Sequence, residues 1–213
     1  MEKFKKEIPF IAIALIPFVY LIYIWNRLPE KVPMHWNGAG EIDRYGDKKE
    51  LVAMLCMLVG ITYFVFLIIP YVDPKQKLQN MGNKLNNLRM ILTLFMSGLA
   101  VFILYSVQQK SSNPGFVFAI IGLLFAFLGN YFKTIKPNYF IGIKTPWTLE
   151  NEEVWKKTHV LGGKLWFIGG LLMALTFLLP NEMQLYTFLG ITAVITIVPI
   201  VYSYLEFKKI KNQ

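Results

Sequence analysis

Six long apolar blocks that contain no Asp, Glu, Lys, Arg or His constrain this chain more than any other feature of its sequence. A helix of about 20 apolar residues crosses the hydrocarbon core of a bilayer, whereas an open strand would leave its amides unpaired in lipid. The sequence therefore predicts an all-α fold, a polytopic membrane bundle of six transmembrane helices. The blocks are Ile8–Trp25, Leu51–Tyr71, Met90–Val107, Gly115–Phe132, Leu165–Leu179 and Leu185–Leu205.

The composition excludes an ordinary soluble domain. Hydrophobic residues make up 55% of the chain and charged residues 16%, against about 45–50% and about 25% in soluble proteins. A net charge of +9 would by itself suggest a nucleic-acid partner. Because the apolar residues form blocks and not amphipathic stripes, we expect a lipid bilayer as partner and no direct nucleic acid. The lone cysteine, Cys56, excludes an intrachain disulfide or a cysteine metal cage.

The basic residues predict how the helices face. With the N-terminus inside, the cytoplasmic segments hold 16 of the 22 Lys and Arg residues and the external segments hold 6. The positive-inside rule therefore predicts an N-in/C-in topology. The first block follows three lysines, as a signal peptide would, but it lacks a small-residue cleavage pattern and is predicted to be an uncleaved first span.

We predict two halves within one integrated bundle. Residues 1–110 hold the first three spans and an external loop with the pattern PxHWNxxG, and residues 111–213 hold the last three spans and a cytoplasmic segment with the sequence GIKTPWTL. Leucine and methionine at spacings of three and four predict a short amphipathic helix within 73–88 that lies at the inner interface or extends the third span.

The external segment between the first two spans is rich in proline and glycine, which predicts a compact ordered loop and not a helix. His35, Trp36 and Asn37 stand at its centre. We expect Trp36 and Tyr45 to be interfacial aromatics, and Asp43 or Asn37 to cap turns. A metal site built from His35 and the neighbouring carboxylates is the alternative.

The cytoplasmic segment between the fourth and fifth spans contains a predicted helix. Thr148 is the expected N-cap, and the capping box is incomplete because Asn151 stands at the third helical position. Glu150, Glu152 and Glu153 place negative charge near the positive end of this helix.

Further along this helix, aromatic and glycine residues recur at spacings of three to four and therefore share one face. The glycines permit close approach of another helix. The segment is then either an amphipathic lead-in that anchors the fifth span or a docking surface that uses Trp147, Trp155 and His159. The residues on the shared face are Trp155, His159, Gly162, Gly163 and Trp166.

Catalysis finds little support in the sequence. The two histidines are predicted on opposite sides of the membrane, and we find no nucleophile motif, phosphate-binding loop or HExxH pattern. We therefore predict no enzyme, catalytic residue, metal site or cofactor. A metal-dependent enzyme that uses His159 with Glu152 or Glu153 is the weakest alternative. Transport of a small molecule or ion is the stronger alternative, suggested by six spans kinked at Pro17 and Pro199, although the blocks lack the ionisable residues of proton relays.

Two motifs together resemble the SdpI family of bacterial membrane proteins. The external loop resembles the small uncharacterised domain that often precedes that family's hallmark segment, through Pro33, His35, Trp36, Asn37, Gly40 and Asp43. The cytoplasmic segment resembles the hallmark itself, with Lys144 where Arg is common, so a bidentate contact there is in doubt. Its matching residues are Gly129-Asn130, Pro137-Asn138, Gly142 to Leu149, Val154-Trp155, Thr158-His159 and Gly162-Gly163.

The resemblance implies an immunity protein of the bacterial plasma membrane that protects its cell from a membrane-active peptide toxin. It further implies a sensor that, when occupied by toxin, holds a small DNA-binding repressor at the cytoplasmic face. The toxin would meet either lipid-facing surfaces of the helices or the external loop, at Pro33, His35, Trp36, Asn37, Gly40 and Asp43. The repressor would dock on Asn138, Gly142, Lys144, Thr145, Pro146, Trp147, Thr148, Trp155, His159 and Gly163.

Overall fold

Six helical units long and apolar enough to cross a membrane make up most of the computed structural model, which describes residues 2–73, 78, 81–109 and 115–212. The predicted polytopic helical bundle is thereby confirmed. The second unit consists of two helices joined by a π-helical turn at Cys56–Gly60. The helices are α1 (Glu2–Ile24), α2 (Glu50–Leu55), α3 (Ile61–Val72), α4 (Asn83–Gln108), α5 (Gly115–Phe132), the short α6 (Pro146–Glu150), α7 (Glu152–Ala174) and α8 (Asn181–Lys211).

Several helices extend well beyond their apolar blocks. α4 begins at Asn83 and α7 at Glu152, so their polar first turns project from the hydrocarbon region. Asn151 caps α7, because its Oδ1 accepts hydrogen bonds from the amides of Glu153 and Val154 at 2.9 and 3.0 Å. The start of α4 shows that part of the predicted amphipathic helix extends the third span, and the remainder of that prediction lies partly outside the described residues.

The external segment is more regular than the predicted loop. It forms an antiparallel hairpin of β1 (Lys31–Trp36) and β2 (Ile42–Asp47), with an irregular register near the tip. The Asn37 side chain turns the tip by accepting hydrogen bonds from two later amides, and Gly40 adopts φ 80°. The fully buried Val32 anchors the hairpin on a core formed with α1, α2 and α4. The all-α prediction is therefore extended by one small sheet.

Helices α5 and α7 approach until their backbones touch. A Cβ atom added at Gly129 would lie 2.7 Å from the carbonyl oxygen of Gly163, and one added at Gly170 would lie 2.5 Å from that of Gly122. The two glycines on each helix are seven residues apart, or about two turns, so both contacts fall on one line. Small residues at this crossing hold α7 in place beside α5.

An ion pair between a buried arginine and a half-buried glutamate ties α1 to α4 near their start. The Arg89 guanidinium, 7% exposed, donates two hydrogen bonds of 2.8 and 2.5 Å to the Glu7 carboxylate. The Tyr63 hydroxyl of α3 donates to the same carboxylate at 3.0 Å, and the Phe10 ring lies 4.1 Å from the guanidinium. Glu7 and Arg89 each lie one residue outside a predicted apolar block, and both lie within the spanning helices.

Candidate functional sites at the two ends of the bundle

An apolar cavity of about 480 Å³ lies between the hairpin and the ends of four spanning units. Residues of α2, α4, α5 and α8 close it from the bundle side, and the hairpin covers it from the other side. Ligand cavities of this size are typically apolar with a few polar groups. The lining residues are Pro33, Met34, His35, Trp36, Asn37, Gly38, Gly40, Leu51, Met54, Phe102, Ile103, Ser106, Val117, Phe118, Asn181 and Leu185.

Polar groups at the mouth of this cavity are held by short contacts within the hairpin. His35 Nδ1 lies 2.6 Å from Asp43 Oδ1, which orients the imidazole ring. Asn37 donates to Glu41 Oε2 at 3.1 Å while shaping the tip. The indole N–H of Trp36 is buried and has no hydrogen-bond partner among the described residues. A buried unpaired donor is unusual in a folded protein.

The structure brings the predicted external residues together. Five of the six line the cavity, and the sixth, Asp43, binds His35. The metal alternative gains no support, because no three His, Cys, Asp or Glu residues within the described parts of the chain are grouped so that they could hold an ion. Sequence reasoning missed the cavity residues of α4, α5 and α8. They are apolar or small residues of separate spans, and nothing in the sequence distinguishes them from ordinary packing residues.

At the opposite, lysine-rich end, Asn138 organises the loop between α5 and α6. Its Nδ2 donates to the carbonyls of Lys136 and Ile141, at 2.9 and 3.0 Å. Its Oδ1 accepts from the amides of Phe140 and Ile141, at 2.8 and 2.7 Å. One buried side chain, 1% exposed, thus makes four hydrogen bonds that fix the turn.

His159 holds the same loop against α7. Its Nε2 accepts from the Ile143 amide at 3.0 Å, and its Nδ1 donates to the Trp155 carbonyl at 2.8 Å, so both ring nitrogens are occupied. The Trp155 ring stacks on the imidazole with centroids 4.1 Å apart and donates to the Ile135 carbonyl. Gly142, at φ 113°, leaves the space that this histidine fills.

The capping prediction for this segment was wrong by one turn. Asn151, predicted at the third helical position, is itself the N-cap of α7. Thr145, and not Thr148, caps a helix, the short α6, and Thr148 reciprocates from the third helical position in a complete capping box. Pro146 decides this register because proline favours the first helical position. The hydroxyl of Ser203 on α8 accepts from the Trp147 indole and lies 3.3 Å from the Thr145 hydroxyl.

The predicted docking residues divide into two groups. Trp155 and His159 are 2% and 1% exposed, so their side chains form no docking surface in this structure and instead fix the loop. Asn138, Thr145, Thr148 and Gly163 are buried as well. Lys144 and Pro146 are exposed, and Gly142 and Trp147 are partly so. A docking role for these four stays a prediction.

Comparisons with known proteins match both the segment that contains the hairpin and the segment at the lysine-rich end. Residues 134–203 match the SdpI/YfhL protein family, and residues 12–60 match a domain of unknown function, DUF1648. The immunity protein SdpI of Bacillus subtilis is 23% identical over 210 residues, which covers 98% of this chain and 99% of that protein. An uncharacterized protein of Archaeoglobus fulgidus is 41% identical over 59 residues, 28% of this chain and 31% of its own length. No solved structure matches. The predicted resemblance is confirmed.

Proposed function

We propose that this multi-pass membrane protein, which carries an SdpI-family segment behind a DUF1648 segment, protects its cell from a membrane-active peptide toxin. The single observation that carries the proposal is the similarity to an immunity protein over 98% of the chain. Because the match spans all six helical units, the proposal concerns the whole bundle and not one shared segment.

The cavity under the hairpin is the proposed site of toxin contact. Under the N-in/C-in topology it opens to the outside, where a toxin arrives. Its apolar lining suits a large hydrophobic side chain. We propose binding and not catalysis as its action, without a cofactor, since its lining is mostly apolar.

Trp36→Ala is expected to abolish most of the protection while leaving the protein inserted. Loss of a central aromatic anchor costs about 2 kcal/mol or more, equivalent to about a thirtyfold lower tolerated toxin concentration. The measurement is survival of a toxin-sensitive strain that expresses each variant, challenged with a panel of purified membrane-active bacterial peptides.

Tyr45→Ala is the matched control, because Tyr45 is another hairpin aromatic that is 58% exposed and does not line the cavity. It should protect as the wild type does. Unchanged killing of cells with wild-type protein by every peptide would overturn the immunity proposal. Equal protection by the Trp36→Ala and Tyr45→Ala variants would contradict the cavity as the site of toxin contact.

We further propose that the lysine-rich end captures a small DNA-binding repressor when toxin is bound. The exposed Lys144 and Pro146 support this, since they project from a loop whose shape is fixed by buried partners. Toxin binding would have to favour one of two arrangements of the bundle for the ends to communicate.

Lys144→Glu is expected to prevent recruitment of the repressor to the membrane and to spare survival under toxin challenge. A charge reversal at a docking surface weakens binding of the partner, because it removes an attraction and places like charges against each other. Membrane fractionation of a tagged repressor encoded by a neighbouring gene measures this. Lys49→Glu, at the exposed opposite end, is the control. Recruitment that survives Lys144→Glu would contradict the docking assignment.

Transport of a small molecule or ion stays an alternative prediction, which flux through reconstituted protein would test.

A further inference from the structure

A second depression, a groove of about 470 Å³, follows the seam between α7 and α8 at the lysine-rich end. Three lysines, one glutamate and a tyrosine line it, together with two aliphatic side chains. It is separate from the hairpin cavity and from the loop held by His159. The lining residues are Glu153, Lys156, Lys157, Val160, Leu161, Lys164 and Tyr202.

One of the three lysines is already neutralised by carboxylates. Lys157 Nζ lies 2.8 Å from Glu153 and 3.1 Å from Glu206, so its charge helps to join α7 to α8. Lys156 and Lys164 are exposed and have no carboxylate within 4.0 Å among the described residues. The groove therefore presents two positive charges whose counter-charge the described chain does not supply.

Two contacts between α7 and α8 fix the depth of Lys164 along the bundle. Lys157 lies level with Glu206 of α8, whereas Trp166 donates to the Ile195 carbonyl at 3.0 Å. Lys164 falls between these levels and is therefore beside the apolar part of α8, which extends to Leu205. A lysine at this depth reaches the headgroup layer with its flexible stem.

Between the two exposed lysines, the groove is apolar. Val160, 41% exposed, lies on the same face of α7 as Lys156 and Lys164, one turn from each. A ligand that fills the groove must therefore carry a negative head near the two lysines and the Tyr202 hydroxyl, and an apolar body alongside Val160 and Leu161. Inorganic phosphate supplies only the first of these. An anionic phospholipid supplies both.

We propose that the groove between α7 and α8 binds the headgroup phosphate of one anionic phospholipid. Lys156 and Lys164 pair with the phosphate, Tyr202 donates a hydrogen bond to it, and Val160 and Leu161 contact the acyl chain. The site is independent of toxin immunity, because none of these residues lines the hairpin cavity.

The test is native mass spectrometry of the purified full-length protein, titrated with phosphatidylglycerol or with phosphatidylcholine of identical acyl chains. We expect one phosphatidylglycerol to bind in preference to phosphatidylcholine. Lys156→Gln/Lys164→Gln should weaken phosphatidylglycerol binding about tenfold, since lysines near a lipid surface each contribute several-fold to binding. The matched control is Lys133→Gln/Lys136→Gln, which removes the same charge from exposed positions outside the groove and should bind as the wild type does.

Equal losses in the two double variants would overturn the proposal in favour of diffuse charge attraction, and equal binding of the two lipids by the wild type would overturn it directly. Displacement of the lipid by millimolar inorganic phosphate would identify a free-anion site instead, and lysine-dependent binding of a polyglutamate peptide without lipid preference would identify an acidic protein surface. Tyr202→Phe removes only a hydroxyl and should also weaken phosphatidylglycerol binding. It tests the site even where the double lysine variant fails to fold.

Discussion

Gly170→Ala is expected to destabilise the bundle by about 3 kcal/mol, near the upper range for overpacking a tight interior. The added methyl group would lie 2.5 Å from the Gly122 carbonyl oxygen and 2.9 Å from the Ala126 Cα, and backbone atoms cannot move aside as a flexible side chain can. α7 must therefore shift away from α5. Thermal unfolding of the purified protein in detergent measures the loss.

A helical glycine in open surroundings provides the control for this experiment. Gly190 lies in α8, and a Cβ added there meets nothing within 4 Å in the described structure. Gly190→Ala should therefore be neutral, or stabilising by up to about 1 kcal/mol through helix propensity. If the two variants unfold alike, the close backbone contact between α5 and α7 is contradicted.

Arg89→Met is expected to cost about 3 kcal/mol, at the lower end for a buried pair, because it leaves the Glu7 carboxylate, which is 25% exposed, charged and without its principal partner. Tyr63 alone would still donate to that carboxylate. Replacing both charges, as in Glu7→Leu/Arg89→Met, should recover most of the loss, since no uncompensated charge remains. Unfolding free energies of the two single variants and the double variant give the coupling between the residues.

Arg44→Met tests whether this cost depends on burial. Arg44 pairs with Glu50 at 3.4 Å on the exposed hairpin, and the side chains are 58% and 43% exposed. Exposed pairs contribute about 0–1 kcal/mol because water and salt screen them. A cost at Arg44 as large as that at Arg89 would argue against a special role for the buried pair.

The six spans could be predicted because each one is a continuous uncharged apolar block, a signal that needs no knowledge of tertiary contacts. The Glu7–Arg89 pair could not, since its members are 82 positions apart and lie just outside the blocks. The helices extend past the apolar limits, and this extension brings the two charges inside. Hydropathy marks where lipid contact begins, and the helix caps mark where a helix begins.

The candidate sites were predicted only in part. The residues of the hairpin tip were identified, and Asn37-Gly38 is a turn signal. The prolines of this segment and the irregular register interrupt the strand pattern, however, so a loop was the nearest prediction. The cavity depends on Phe102 and Leu185, which only the packing of distant helices brings near Trp36. At the lysine-rich end, the spacing of aromatic residues predicted an exposed docking surface as one of two alternatives. The same residues are buried because the loop folds back over α7, which a single helix pattern does not show.

The contacts of Ser203 with Thr145 and Trp147 limit when this segment can reach its final conformation during synthesis. The loop that these residues belong to leaves the ribosome well before Ser203, which lies 56 positions after Trp147. While the nascent chain holds only five inserted spans, the indole N–H of Trp147 lacks the acceptor that it has in the finished protein. The segment that holds Thr145 and Trp147 therefore reaches its final conformation only after α8 docks on α7.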